Sequence, residues 1–319
     1  MSPDQLASLS DNLFSISIAL YSLAVVAFSA QLAFGRRTAR TRQLVGAGGP
    51  ALEMPAGTSA PAENGRGRRW GALAMGLAAL GALAHGAVLV TRALATDRLP
   101  LGNMYEFSTA AVFVAVIAYL VLALRAPGLR HIGLFVLAPV VLAMVLIGLF
   151  LYAEAGPLVA ALRSYWLAIH VSTAVIGFGV FFVSGIASAL YLGKIAHEER
   201  ITAGQKPGGL LSRLPGAAAL DRVAHRTAVF GFPIWTFTVI AGAIWAEAAW
   251  GRFWGWDPKE TWAFIAWIVY AAYLHARTTA GWRGKPAAWV NVVGLAVMIF
   301  NLTFVNMVST GLHSYAGVN

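Results

Sequence analysis

Trp245-Ala-Glu-Ala-Ala-Trp250-Gly-Arg-Phe-Trp254-Gly-Trp256-Asp257-Pro258-Lys259-Glu260-Thr261-Trp262 lies where one long apolar segment ends and the next begins. Five of the chain's 11 tryptophans fall within it. The position is that of a short loop at a membrane surface. A tryptophan at headgroup level needs only an apolar body and a polar tip, and that bland role accounts for two or three of the rings. It does not account for their interleaving with Gly251, Gly255, Asp257 and the run Pro258-Lys259-Glu260. Small residues between large rings let a flat apolar body approach the backbone closely, so the loop reads as a docking shelf for a planar aromatic ligand.

Outward from the loop, the chain is built for lipid. Its 319 residues are 59% hydrophobic and 11% charged, against roughly 25% charge in a soluble domain, and the mean hydropathy is +0.70. Runs able to cross about 30 Å of hydrocarbon fall near 12–34, 70–92, 105–124, 132–152, 165–192, 227–249, 259–277 and 288–310. The expected fold is therefore all-α, a polytopic integral membrane protein of about eight transmembrane helices. The first run lacks a basic n-region and a small-residue cleavage site, so it reads as a retained span over 1–35. Residues 36–69 are polar and rich in Gly, Pro and Ala, a flexible linker by composition. Residues 70–319 form the core, with a second polar connection near 193–226. With no cysteine, the chain has no disulfide, thiolate metal site or thiol nucleophile.

The net charge of +10 could point to nucleic acid, but its placement excludes that partner. With the N-terminus outside, 18 of the 23 basic residues fall in the inner connections 36–69, 125–130, 194–226 and 277–285. This is the positive-inside pattern, with membrane lipid as the surroundings. It places the tryptophan loop and the N-terminus outside the cytoplasm.

Seven histidines remain. His131, His197 and His225 fall in or beside inner connections and read as solvated. His170, near the outer end of the fifth run, and His313, just past the eighth, share the depth of the tryptophan loop. Two imidazoles flanking an aromatic shelf suit axial ligation on the two faces of a haem. Thr303, Asn306, Thr310 and His313 recur at three or four residues as a polar stripe, read either as helix–helix hydrogen bonding or as partners fixing the imidazole tautomer. His275 closes a face formed with Phe264, Trp267 and Ala271, and an ionisable group in a span is a functional candidate. His85 lies some 16 Å from His275 along the membrane normal, at about 1.5 Å per residue, too far to share an iron with it.

The stretch Trp250 to Trp262 resembles the WWD signature of haem-handling proteins, and the wider pattern resembles the CcsA (ResC-type) subunit of the system II cytochrome c synthase. Supporting segments are Pro100-Leu-Gly-Asn103-Met-Tyr105-Glu106, Ser164-Tyr-Trp-Leu-Ala-Ile-His170, Gly231-Phe-Pro and Gly311-Leu-His313-Ser-Tyr. The likeness covers about residues 70–319. It implies that His170 and His313 ligate haem b at an outer site, with Trp250, Trp254, Trp256, Asp257 and Trp262 forming its shelf. It implies that His275 belongs to an inner haem site. His85 has no counterpart in the pattern, and Asp97-Arg98 replaces a variable pair.

The implied reaction is addition of the two thiols of an apocytochrome c Cys-x-x-Cys-His motif to the haem vinyl groups, at the outer face of the plasma (inner) membrane. The chain's lack of cysteine fits, since both thiols come from the substrate. The chemistry asked of the protein is positioning, worth about 7–11 kcal/mol in well-oriented systems. Arg252 and Lys259 are candidates for the haem propionates or simple interfacial anchors, and Asp257 and Glu260 read as holding the loop. Implied partners are a CcsB/ResB-type membrane protein, apocytochrome c and a thioredoxin-like thiol reductant. A haem exporter without synthase activity, and a quinone-linked or structural membrane protein, are the rival readings.

Overall fold

The computed structural model describes residues 1–35, 37–38, 62–63, 65–158, 162–204, 206 and 208–313. Eight long helices make the molecule: α1 (Pro3–Phe34), α2 (Gly65–Thr96), α3 (Met104–Arg125), α4 (Gly133–Phe150), α5 (Ser172–Thr202), α6 (Ala217–Trp250), α7 (Pro258–Thr278) and α8 (Lys285–Leu302), followed by a single turn, α9 (Phe304–Met307). Among the described residues, seven helical segments are long and apolar enough to cross a membrane. α7 is the exception, because Trp262, Trp267, Tyr270 and Tyr273 take the place of aliphatic residues along its length.

Several helices start or stop away from the apolar runs, for local reasons. α1 begins at Pro3 because Ser2 forms a capping box with Gln5 and proline suits the first helical position. α2 starts at Gly65, inside the connection expected over 36–69. The rest of that connection, 36, 39–61 and 64, lies outside the described residues, apart from a short antiparallel pairing of Arg37–Thr38 with Ala62–Glu63. α8 stops at Leu302, not at 310. Thr303 turns its hydroxyl back on the Ile299 carbonyl, and the Asn306 amide donates to the carbonyls of Asn301 and Leu302. The expected polar stripe is therefore a helix end, with Asn306 satisfying the orphan carbonyls.

α1 and α2 form an antiparallel pair with a strict seven-residue rhythm. Ser10, Phe14, Ser17, Tyr21, Ala24, Phe28 and Gln31 are buried along α1. Gly67, Gly71, Ala74, Ala78, Gly81, Ala82, His85, Val88 and Arg92 are buried along α2. Large residues on one helix meet small ones on the other, the spacing of a left-handed seam.

α5 is the central post of the other half, packing on α3, α6 and α8. At Gly179 a Cβ would lie 2.8 Å from the Ala115 backbone nitrogen, so only glycine permits the α3–α5 approach. Asn291 of α8 donates to the Ser184 and Ser188 hydroxyls of α5 at 2.9 and 2.8 Å. Phe181 stacks on Tyr270 of α7, and the Trp235 indole N–H of α6 reaches the Ala263 carbonyl of α7 at 3.1 Å.

Candidate functional site

α6 ends at Gly251, whose φ of +70° supplies the left-handed turn that caps it. α7 begins at Pro258, with Asp257 as N-cap and Glu260 completing a capping box. The local sequence Asp257-Pro258-Lys259-Glu260 is thus a helix start in its own right. Glu260 also accepts from the Gly255 amide at 2.8 Å and faces Arg252 at 3.4 Å. Gly251 and Gly255 therefore serve the turn, one as a cap and one within the hydrogen-bonded loop. Trp256 sits at φ +58° and is 68% exposed.

Between the loop and the bundle lies a cavity of about 1210 Å³, mouth included. Its lining is mostly apolar. Leu101–Met104, the start of α5, the C-terminal half of α6, the loop and the end of α8 all contribute.

His170 and His313 both line this cavity. His170 stands in a π-helical turn, Leu167–Val171, just ahead of α5, and such turns recur at functional sites. Its Nδ1 lies 2.9 Å from the Thr238 carbonyl, which makes Nδ1 the protonated nitrogen and leaves Nε2 as the ring's lone-pair donor. Trp245 meets the ring edge-on at 5.8 Å. Gly242 gives it space, since a Cβ there would lie 2.6 Å from Cε1.

His313 is held differently. Its Nδ1 lies 2.8 Å from Asp257 Oδ1, while the neighbouring Leu312 amide donates to Oδ2 of the same carboxylate at 2.7 Å. The Trp250 ring meets it edge-on at 5.1 Å. Burial pushes the Asp257 carboxyl upward, but the His313 ring and the amides of Lys259 and Leu312 outweigh it, and its pKa ends below 3.8.

The other sequence-derived positions divide. Trp250, Trp254 and Lys259 line the cavity, and the Lys259 ammonium donates to the Asn301 carbonyl at 3.1 Å. Trp256 and Trp262 are not in the lining: Trp256 stands edge-on to Trp254 at 5.8 Å, and Trp262 packs on Phe300 at 4.3 Å. Arg252 lies outside it as well, between Glu260 and the Trp250 ring. Asp257 acts through His313 and the loop. His275 is exposed on α7, away from the cavity; Phe264 and Trp267 above it are stacked at 6.0 Å. His85 is fully buried with Tyr21 Oη 3.3 Å from its Nδ1. His131, expected to be solvated, is buried as well.

Glu106, in the Pro100–Glu106 segment, has a structural role that its sequence context does not reveal. Its carboxylate receives Arg92 Nε at 3.0 Å, Arg98 Nη1 at 2.7 Å and the Gly102 amide at 2.7 Å. The same arginines reach the Ala153 and Gly156 carbonyls. One buried carboxylate thereby ties the start of α3, which walls the cavity, to the connection leading from α4 toward His170.

Fold and site define a polytopic helical membrane protein with a tryptophan-walled cavity bearing two oriented imidazoles. A family model described as Cytochrome C assembly protein matches residues 101–313. Proteins named cytochrome c biogenesis protein CcsA are similar: that of Guillardia theta is 33% identical over 266 residues, 73% of this chain and 81% of its own. That of Prochlorococcus marinus (strain NATL2A) is 36% identical over 250 residues, 71% and 79%. That of Synechococcus sp. (strain RCC307) is 42% identical over 179 residues, 51% and 58%. A solved structure named cytochrome c haem lyase CcmF shares the fold with a TM-score of 0.63 at 16% identity, over 96% of this chain and 48% of that one; this chain spans about half its length. The chain belongs to the cytochrome c assembly protein family and is of the CcsA type.

Proposed function

We propose that the chain carries haem b to the outer face of the membrane and presents it there, between His170 and His313, for thioether attachment to the Cys-x-x-Cys-His motif of apocytochrome c. One observation carries this reading: two histidines from distant parts of the chain line one tryptophan-walled cavity, each with Nδ1 engaged. That arrangement suits coordination through Nε2 on opposite faces of a planar ligand. Trp250 and Trp254 would contact the macrocycle. Lys259, the cation in the lining, would meet a propionate, whereas Arg252 would serve the loop. The site residues do positioning; the thiols and the vinyl groups come from the two substrates.

The orientation follows from the basic connections, with the loop and N-terminus outside. His275, on the opposite half of α7, would mark an inner haem site on the path outward. A CcsB/ResB-type partner would recruit the apocytochrome, and a thioredoxin-like protein would keep its thiols reduced.

The test is the visible spectrum of the detergent-purified chain co-expressed with such a partner. Wild type is expected to carry low-spin, six-coordinate haem b. His170→Ala and His313→Ala are expected to lose it or turn high-spin, with rescue by imidazole. An unaltered low-spin spectrum in both variants would sink the assignment. Covalent cytochrome c in a reconstituted host separates a synthase from an exporter, which would yield only loosely bound haem.

A further inference from the structure

At the end of the bundle opposite the tryptophan loop lies a second cavity, about 670 Å³ with its mouth, whose described lining shares no residue with the first. Ser29, Leu32 and Ala33 at the close of α1 form one wall, and Leu134 at the start of α4 another. The third is the 3₁₀ turn Leu210–Arg213 ahead of α6, which contributes Leu210 and Arg213. The Ser29 hydroxyl donates to the Val25 carbonyl of its own helix at 2.9 Å. Among the described residues, Arg213 is therefore the polar side chain left to face an occupant, and the walls around it are aliphatic. Other cations at this end are paired: Lys194 with Glu198 at 3.9 Å, Arg277 with Asp221 at 2.5 Å and Lys285 with Glu199 at 2.6 Å. The half-buried Arg213 has no such partner among the described residues. The apolar walls also continue beyond the crevice. Val26 and Leu23 lead away from Ser29 along α1, and Leu142, Val145 and Leu149 lead away from Leu134 along α4, in steps of three, four or eight residues that keep to one helix face. All five are exposed.

We propose that this crevice holds the head of one anionic phospholipid, its phosphate on the Arg213 guanidinium and its acyl chains along the exposed faces of α1 and α4. An arginine lays its aliphatic stem on apolar surface and keeps its charge at headgroup level. Basic pockets between helices at the membrane surface take anionic lipid heads, and the guanidinium fork matches two phosphate oxygens at once. The stretch from Ser29 to Ala33 is one turn of α1, about 6 Å tall. That is too short to seat a partner helix, whereas a lipid needs only a head pocket and an apolar strip leading from it. The bound lipid joins the close of α1 and the start of α4 to the turn that leads into α6. The site stands apart from the haem cavity, so neither assignment depends on the other.

The experiment uses the full chain, delipidated in a neutral detergent, and follows its thermal midpoint as one of three probes is added. These are phosphatidylglycerol, phosphatidylcholine with the same acyl chains, and inorganic phosphate. Phosphatidylglycerol is expected to raise the midpoint at a mole fraction about fivefold below that needed for phosphatidylcholine, the preference one cation at a headgroup supplies. Inorganic phosphate is expected to leave the midpoint unchanged. Arg213→Gln should abolish the preference and Arg213→Lys should keep most of it. Arg226→Gln, which removes an exposed cation of α6 outside the crevice lining, should keep all of it. Ala33→Trp, which fills the crevice from an exposed position on α1, should remove the response to both lipids. Equal responses of the wild type to the two lipids, or a preference that survives Arg213→Gln, would overturn the proposal. So would an equal loss in Arg226→Gln, which would mean attraction to the basic face at large. A wild type indifferent to both lipids overturns it as well, the result expected if polypeptide fills the crevice. A shift with inorganic phosphate matching that with phosphatidylglycerol would make the site one for a free anion and not for a lipid.

Discussion

At Gly242 a methyl group would lie 2.6 Å from Cε1 of His170, a distance that real side chains do not tolerate. The ring cannot retreat, since its Nδ1 is bound to Thr238 on the same helix. Gly242→Ala is therefore expected to push the imidazole off its axis at about 1–3 kcal/mol of overpacking, giving a folded protein whose haem is high-spin. A wild-type spectrum in that variant would mean that the ring has more freedom than the packing allows. Asp257 supplies a pH test. Its folded-state pKa is lowered by His313 and two backbone amides against the opposing effect of burial. A lowered carboxyl contributes stability that is fully present above its unfolded value of about 3.9 and is lost only as pH falls through the lower folded value. The stability gap between wild type and Asp257→Asn, read from thermal unfolding of the haem-free protein, should thus not shrink between pH 8 and 5. Shrinkage in that interval would show that the carboxylate is not held as the geometry implies. The residues themselves were legible in different degrees. His170 and His313 stood out because ionisable groups are rare near spans, but Thr238 acts through its carbonyl, which any residue would supply. Asp257 was legible as a loop-holding carboxylate, while its hold on His313 spans 56 residues of sequence.

Among elements, the junction of α2, α3 and the α4–α5 connection depends on Glu106, with 0% of its side chain exposed beside Arg92 at 1%. A buried charge cluster adds little stability as a whole, yet removing one partner leaves the others uncompensated, at about 3–5 kcal/mol. Glu106→Ala is expected to lower the thermal midpoint in detergent sharply. Glu106→Gln, which keeps an acceptor for the Gly102 amide, should cost less. Equal midpoints for wild type and Glu106→Ala would show that the arginines find other partners. The motif was visible in sequence, but the clamp was not, because the carbonyls it reaches lie 58 and 61 residues from the arginines. The helices were legible as apolar runs, and their ends less so. α8 stops at Leu302 where the run continues, since the side chains of Thr303 and Asn306 compete for its last carbonyls.

Across the whole molecule, site and scaffold separate along the chain. The family match begins at Leu101 and ends at His313, and both residues line the cavity; no residue of α1, α2 or α4 does. The seven-residue seam of α1 with α2 is a packing device, invisible to a search for apolar runs because glycine, alanine and serine carry it. At Gly81 of this seam a Cβ would lie 2.6 Å from Cε1 of Tyr21. Gly81→Leu should prise the pair apart, destabilising the protein by about 1–3 kcal/mol. Yet the cavity is walled by α3, α5, α6, α7 and α8, and α2 reaches it only indirectly, through the arginines on Glu106. The haem spectrum of the surviving folded fraction should therefore keep the wild-type band positions while the thermal midpoint falls. If the bands shift as the midpoint falls, the α1–α2 pair shapes the ligand field after all, and the division between scaffold and site must be redrawn to include it.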